Sequence, residues 1–532
     1  SSSRCARLSK DALIGYLNPP PRLCCVLIWN GLQVEAMESW DIIVIGSGVA
    51  ALRAAIAALD AGATVSIFDD AGPGSAQARA DDTGIAASLA ESDSNEHQQD
   101  TATVGMGVET TVSNSRCASS VSTLIELERW GLNLRRDGSG APALSSQPGH
   151  RTPRVATVGD VTGRETLRIL EEQCMKRGIP RKHDFRPLTV VTENQRVRGI
   201  VILDIQTGII APIQAKSVIL AGDGHDGLWV ENGSSGSKTA LAFRSGAMLS
   251  GMEFVGWHPM MIKDSEMFLS LALLDAGARL RKANGDDIEL VGGLTEACRS
   301  LVDEEYVLDA RSVPNSLRPW FNTSAQHITD RFGIDLWSTV IPLTPAPRYS
   351  IGGVAVDAEG RALISEDLWL TGLYAAGASA ASGMHGSDIL AGNWTLDALL
   401  SGESAGTSAG QWATSAKHGG RNLLMEAAFN SEAQIEAMSE VKDGMTVGAV
   451  TASIRRTMMA QMGLIREEKG LQSVQTKIDD LAASPIRLSD DSQIMNMELI
   501  AALDASLMLD LAQASISAAK ARKESCGAHY LI

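Results

Sequence analysis

The chain has 532 residues, enough for about two to four domains of ordinary size. Hydrophobic residues make up 44% and charged residues 20%, which excludes a predominantly disordered chain. Sixty-three acidic against 46 basic residues leave a formal charge of −17, which argues against nucleic acid as the main partner.

The first 36 residues differ in composition from the rest. They hold Cys5, Cys24 and Cys25, the run Pro19-Pro20-Pro21 and an apolar patch from Leu23 to Trp29, and Met37 directly precedes the first folded-looking segment. They read as an upstream extension, with a targeting presequence for organellar import as the alternative. From Asp41 the pattern becomes regular. Asp41-Ile42-Ile43-Val44-Ile45 is a β-branched run suited to a buried parallel strand. Gly46-Ser47-Gly48-Val49-Ala50-Ala51 follows, then an Ala-rich helical pattern from Leu52 to Ala61, and a second strand, Thr64–Phe68, ending in Asp69. Strand, Gly-rich turn, helix, strand and acid form the dinucleotide-binding βαβ fingerprint, with Ala51 at the third glycine position. Gly46 permits the tight turn, Gly48 admits a pyrophosphate to the helix N-terminus, and Asp69 is placed to accept from a ribose hydroxyl. Gly46, Ser47, Gly48, Ala50, Ala51 and Asp69 are therefore candidate cofactor residues.

Between Thr83 and Val112 the chain reads as polar and irregular, with Gly84-Ile85-Ala86-Ala87 as a small-residue patch whose Gly84 is a further cofactor candidate. Helical patterns follow at Ser119–Trp130 and Arg164–Lys176. Asp160-Val161-Thr162-Gly163 reads either as an N-cap for the second of these or as a segment near the cofactor. Strands are predicted at Thr189–Val191, Val197–Asp204 and Ile213–Leu220, around a turn at Gln206-Thr207-Gly208. Ala221-Gly222 and, after another strand, Gly377 mark two more Gly-rich strand ends where backbone can meet a cofactor. From Glu403 helices dominate, notably Val447–Met462, Leu471–Ala483 and Ile494–Arg522. No run of about 18 apolar residues is found, so no membrane-spanning helix is expected. Seven cysteines without CxxC or Cys/His ligand spacing argue against a disulfide framework or a metal site, and fit a reducing, cytoplasmic compartment.

Six motifs in order carry a resemblance. These are Gly46-Ser47-Gly48-Val49-Ala50-Ala51, the run Met252 to Pro259 around Trp257-His258, and Tyr349-Ser350-Ile351-Gly352-Gly353. Then come Gly372-Leu373-Tyr374-Ala375-Ala376-Gly377, His385-Gly386-Ser387, and the tail Glu524-Ser525-Cys526-Gly527-Ala528-His529. From about Trp40 to Tyr530 the chain resembles the flavoprotein subunits of succinate dehydrogenase and fumarate reductase, together with L-aspartate oxidase; the tail favours the first two. The resemblance implies an α/β fold: a Rossmann-like FAD-binding domain in two segments (37–238 and 353–408), an inserted capping domain (239–352) and a helical carboxy-terminal domain (409–532). It also implies hydride exchange between flavin and a carboxylate substrate, an iron–sulfur electron-transfer subunit as partner, and at most peripheral membrane attachment through partners.

Departures from the family pattern fall where its substrate is held. The family's clamp arginine position carries Ile389, beside Asp388, and Arg348 stands where relatives have a histidine. The proton-donating arginine aligns without a gap to Leu274, and with a four-residue deletion to Arg279. His258, Arg348 and Arg279 are the catalytic candidates that remain. Around the flavin, Ala378, Ser237 and Trp394 replace a glutamate, an aspartate and a serine, while Leu396 keeps a cofactor position. No histidine lies between Asp69 and Asp82, so FAD is expected to be held noncovalently. The expectation is an FAD-dependent oxidoreductase with an altered substrate; its rival is a catalytically silent member serving as a structural or assembly subunit.

Overall fold

The computed structural model describes residues 37–70, 84–89 and 91–532. The extension 1–36 and residues 71–83, which make up most of the stretch without a histidine, lie outside them. Strand β1 (Ser39–Ile45), helix α1 (Val49–Asp60) and strand β2 (Val65–Phe68) form the expected unit. β1 runs parallel to β2, with Ile42 opposite Val65, and on its other side parallel to the strand Ile210–Leu220, with Ile43 opposite Val218. Ile42 to Ile45 are fully buried, which is why the strand is uniformly apolar instead of alternating. Leu368–Ala375 extends the parallel part, Leu373 opposite Val218, and an antiparallel meander of Phe185–Glu193, Arg196–Asp204 and Ile210–Leu220 contributes to the eight-stranded sheet. The turn in that meander closes as predicted: the Asp204 carboxylate accepts the N–H groups of Gln206 and Thr207.

The helix Asn393–Ser415 lies along α1 at very close range. A Cβ on Gly402 would stand 2.4 Å from the Ala50 carbonyl oxygen, and one on Gly406 2.2 Å from that of Ala54. The glycines recur every four residues (402, 406, 410) against Ala50, Ala54 and Ala58, so two backbones meet without intervening side chains. This contact fixes the first turn of α1.

A second, five-stranded antiparallel sheet uses residues 255–350: Val255–Ile262, Ile341–Ser350, Tyr306–Asp309, Arg279–Lys282 and Asp287–Ile288, in that spatial order. It has its own core around Leu271, Leu273, Leu308, Phe321 and Ile328, which also takes in Ile389 and Ala391. Carboxy-terminal helices Val447–Gln461, Glu468–Ala483 and Met497–Ala521 pack through Val450, Ile454, Val474, Ile478, Leu511 and Ile516.

One expectation is corrected. The segment read as irregular contains the helix Glu91–Gly105, and the next helix starts at Thr110, not Ser119. Few apolar residues mark these helices. They are held by polar contacts: the Glu109 side chain caps Val112 N–H, His97 bridges Ser88 and Asn393, and Arg154 pairs with Asp93 and Asp100. The helix Met497–Ala521, in turn, is long and apolar enough to cross a membrane by length and composition, with a mean hydropathy of 1.5. Its alanines raise hydropathy without forming an unbroken run of large apolar residues. Sixty-one per cent of its most apolar window is buried in the fold, and its Asp504 and Asp510 pair with Arg186 and Arg244, as in a core helix.

Candidate active site

The turn after β1 is shaped for a pyrophosphate. Gly46 has φ +129°, and a Cβ there would lie 2.3 Å from the Ala221 carbonyl oxygen, so only glycine lets the two strand ends meet. Gly48 begins α1 in extended conformation with no side-chain cap, and a Cβ there would meet nothing within 4 Å. The first N–H groups of α1 therefore face open space at the positive end of the helix, an anion site by construction. The cavity there is lined by Gly46, Ser47, Gly48 and Ala50, by Asp69, by Ala221 and Gly222, and by Gly377 and Ala378. Gly377 has φ +60° and its N–H donates to Ser401 Oγ.

Beyond Asp69 the cavity has a charged floor that no sequence motif announces. Asp70 accepts from Lys238 Nζ at 2.9 Å and from Arg186 Nη1, and Arg186 reaches Asp504 with Nη2 at 2.6 Å. Lys238 also lies 3.6 Å from Asp223. Burial alone would raise the Asp70 carboxyl, but Lys238 and Arg186 together hold it far below the usual range. Asp504, sharing only Arg186 at close range, is raised by burial. Lys238 and Arg186 are pushed upward by their carboxylates against their own burial. Arg186→Met leaves Asp70 short of one cation and Asp504 without its own. The expected loss is about 3–5 kcal/mol of stability in denaturant unfolding; a loss under about 1 kcal/mol would show that water already screens the cluster.

At the other end the cavity is walled by Arg348, Tyr349, Trp394, Thr395 and Asp397. The Tyr349 and Trp394 rings lie 5.4 Å apart. The Arg348 guanidinium sits 4.6 Å over the Phe268 ring, and His258 packs behind, 5.5 Å from Phe268 and 6.3 Å from Tyr349. His258 Nδ1 accepts the Met260 N–H, and burial followed by the Arg348 charge lowers its pKa to about 3, so it is neutral at pH 7. Asp397 is held by Arg116, by Ser382 Oγ at 2.8 Å and by His385 Nε2 at 3.1 Å. Burial would raise it, yet Arg116 and His385 bring it to about 2, which keeps it anionic.

The FAD binding domain family matches residues 41–394, and the fumarate reductase flavoprotein C-terminal family matches 451–531. The chain belongs to the succinate dehydrogenase and fumarate reductase flavoprotein family. It is 30% identical to the L-aspartate oxidase of Mycobacterium leprae over 93% of each chain. It is 25% identical to the 8-methylmenaquinol:fumarate reductase flavoprotein subunit of Wolinella succinogenes, over 94% of this chain and 86% of that one. In fold it is similar to an E. coli quinol fumarate reductase, with TM-score 0.86 at 23% identity, covering 93% of this chain and 92% of the other. Its cofactor is FAD, and the open turn at Gly48, the uncapped helix and Asp69 fit an adenine dinucleotide.

Within this flavoprotein fold the predicted residues separate into groups. Gly46, Ser47, Gly48, Ala50, Asp69, Ala221, Gly222, Gly377 and Arg348 line the cavity. Ala51 and Leu396 are fully buried in the core behind it, and Gly84 fits against the Ala156 carbonyl with φ +88°. His258 backs Arg348 without lining the cavity. Arg279 is not brought to the site: it is exposed on the strand Arg279–Lys282, opposite Asp309 and two strands away from the one that carries Arg348. Leu274 is half-buried against the capping core. Gly163 lines the cavity, as the cofactor-proximal reading of its segment requires. Asp160 instead caps a different helix from the one expected, accepting the Ser324 N–H, while Val161 begins its own helix without a side-chain cap. Sequence reasoning missed Asp70, Arg186, Asp223, Lys238 and Asp504.

Proposed function

We propose that this flavoprotein oxidoreductase exchanges hydride between FAD and a carbon–carbon bond beside a carboxylate, on a substrate other than succinate or fumarate. One observation carries the reading: a single cavity runs from the Gly46–Gly48 turn to Arg348 on the capping sheet. Asp69 at the end of β2 is suited to the adenosine ribose, which directs the flavin ring away from β2 toward Trp394 and Arg348. Bound there, FAD supplies the hydride chemistry. The chain's part is to hold the pyrophosphate on α1, to hold a substrate carboxylate on Arg348, and to keep water out with Trp394 and Tyr349.

The names of its relatives describe flavoprotein subunits, which supports a subunit that passes electrons to an iron–sulfur partner, in the cytoplasm or peripherally at a membrane. The rival reading, a silent assembly subunit, is favoured by one feature: neither His258, neutral and buried, nor Arg279, exposed elsewhere, offers a proton at the cavity.

Purified protein is expected to absorb near 450 nm with about one FAD per chain. Acid precipitation should release all of it, and a suitable carboxylate should bleach or restore the colour. A colourless protein that takes up no FAD would overturn the proposal, and flavin left in the acid pellet would overturn noncovalent binding.

A further inference from the structure

We propose that the helix Met497–Ala521 of the carboxy-terminal domain forms an apolar wall for the adenine of FAD, with Met497 and Ile500 against the ring, so that cofactor binding and docking of that domain are coupled.

Order along the cavity places the ring. FAD runs from its flavin through the pyrophosphate to the ribose and then to the adenine. With the pyrophosphate on the Gly46–Gly48 turn and the ribose at Asp69, the adenine is the next group beyond Asp69. A chain of ion pairs lies at that end: Asp70 follows Asp69, Arg186 bonds Asp70, and the other arm of Arg186 reaches Asp504 at 2.6 Å. Asp504 stands on the helix. The spacing from Met497 to Ile500 to Asp504 is that of one helix face, and all three residues line the cavity.

The first turn is held firmly enough to serve as a wall. Asn496 caps it, its side-chain oxygen accepting the Leu499 N–H at 2.9 Å while its amide donates to the Ser492 carbonyl. The Met495 N–H donates to the Ile205 carbonyl at 2.7 Å, and Leu499 and Ile500 pack with Leu203 and Ile205 of the antiparallel meander. Met497 is left 60% exposed at the rim. A flat heteroaromatic ring laid there covers apolar surface that water otherwise meets, and a thioether sulfur beside a ring adds to the contact. Arg186 thereby ties the acid next to the ribose site to the helix that faces the adenine. A bound adenosine and a docked helix then favour one another, each by the same factor.

ADP is the probe, since it carries the adenosine and the pyrophosphate without the flavin. Titration calorimetry on the full chain stripped of flavin is expected to show Met497→Ala weakening ADP about threefold and Ile500→Ala about tenfold, with inorganic pyrophosphate unaffected by either. Met497 is exposed enough that its variant should melt at the wild-type temperature, which separates a lost ring contact from a lost fold. Hydrogen exchange in the first two turns of the helix is expected to slow about tenfold when ADP saturates the wild-type protein. ADP bound equally by wild type and both variants, an equal loss for pyrophosphate and ADP, or exchange in those turns unchanged by bound ADP would each overturn the inference alone. A folded chain that takes up neither ADP nor FAD would overturn it together with the cofactor assignment.

Discussion

Gly48→Asp is expected to abolish flavin binding, raising the FAD dissociation constant more than about 100-fold, while the protein remains folded. Space is not the reason. A Cβ at residue 48 meets nothing within 4 Å, and the backbone there is extended, with φ −78°. Aspartate is moreover a favoured N-cap, so its carboxylate will accept the second or third N–H of α1 and stabilise the helix by up to about 1–2 kcal/mol. Those N–H groups are the ones a pyrophosphate needs, and the new charge repels it. At about 1.4 kcal/mol per factor of ten, losing two hydrogen bonds to a charged group, each worth about 1.5–3 kcal/mol, accounts for the stated change. Fluorescence titration with FAD and a thermal melt of the apoprotein together check it: weaker binding with an equal or higher melting temperature. Full flavin occupancy in the folded variant would show that the cofactor lies elsewhere. Gly46→Ala is the contrasting change, since a side chain there must displace the Ala221 carbonyl and should damage folding as well as binding.

What was legible in the sequence is what is local along the chain. The turn Gly46–Gly48 and Asp69 belong to one continuous βαβ stretch, so spacing alone reveals their role, and the parallel sheet follows from the unbroken apolar run Ile42–Ile45. The charged floor was not legible, because Asp70, Arg186, Lys238 and Asp504 come from four distant segments that only the finished topology gathers. Asp70, next to Asp69 in sequence, has no partner until the fold brings Arg186 and Lys238 to it, and Asp504 on the helix Met497–Ala521 then joins through Arg186. The crossing of α1 with Asn393–Ser415 was written in the sequence but unread: glycine at 402, 406 and 410 mirrors alanine at 50, 54 and 58, a small-residue period that is plain once the two helices are known to touch.

The catalytic candidates divided for a similar reason. His258 and Arg348 lie on neighbouring strands whose register sets Gly256 opposite Tyr349 and His258 opposite Ala346, so pairing brings them together. Arg279 belongs to the same sheet, but Tyr306–Asp309 stands between its strand and Ile341–Ser350. Sequence alignment with a gap could bring Arg279 to the motif position; it could not show that the strand faces solvent at that point. The ungapped partner, Leu274, is the one that packs near the capping core.

Fumarate reduction with a reduced dye, and succinate oxidation with an acceptor dye, are expected to run at least two decades more slowly than in the fumarate reductases this chain resembles, on protein loaded with FAD. Two carboxylates entering a closed site each need cationic or multiple N–H partners, and an unpaired one costs several kcal/mol. About 3 kcal/mol of that, appearing in the transition state, already removes two factors of ten. Arg348 can serve one carboxylate; Ile389, buried beside Asp388, can serve none. Proton transfer is deprived as well. With its pKa lowered to about 3, His258 is neutral throughout the working range and cannot donate as an imidazolium. The sign gives a second check on any activity that remains. A histidine of ordinary pKa would lose its proton as pH rises through about 6.5 and take the rate with it. His258 is deprotonated from about pH 4 upward, so the residual rate should pass pH 6–8 without a histidine inflection, and His258→Asn should leave that profile unchanged in shape. Dicarboxylate turnover comparable to the relatives, or a rate that falls through pH 6.5 and loses that fall in His258→Asn, would show that His258 opens to the substrate as an acid and that the pocket closes differently around two charges.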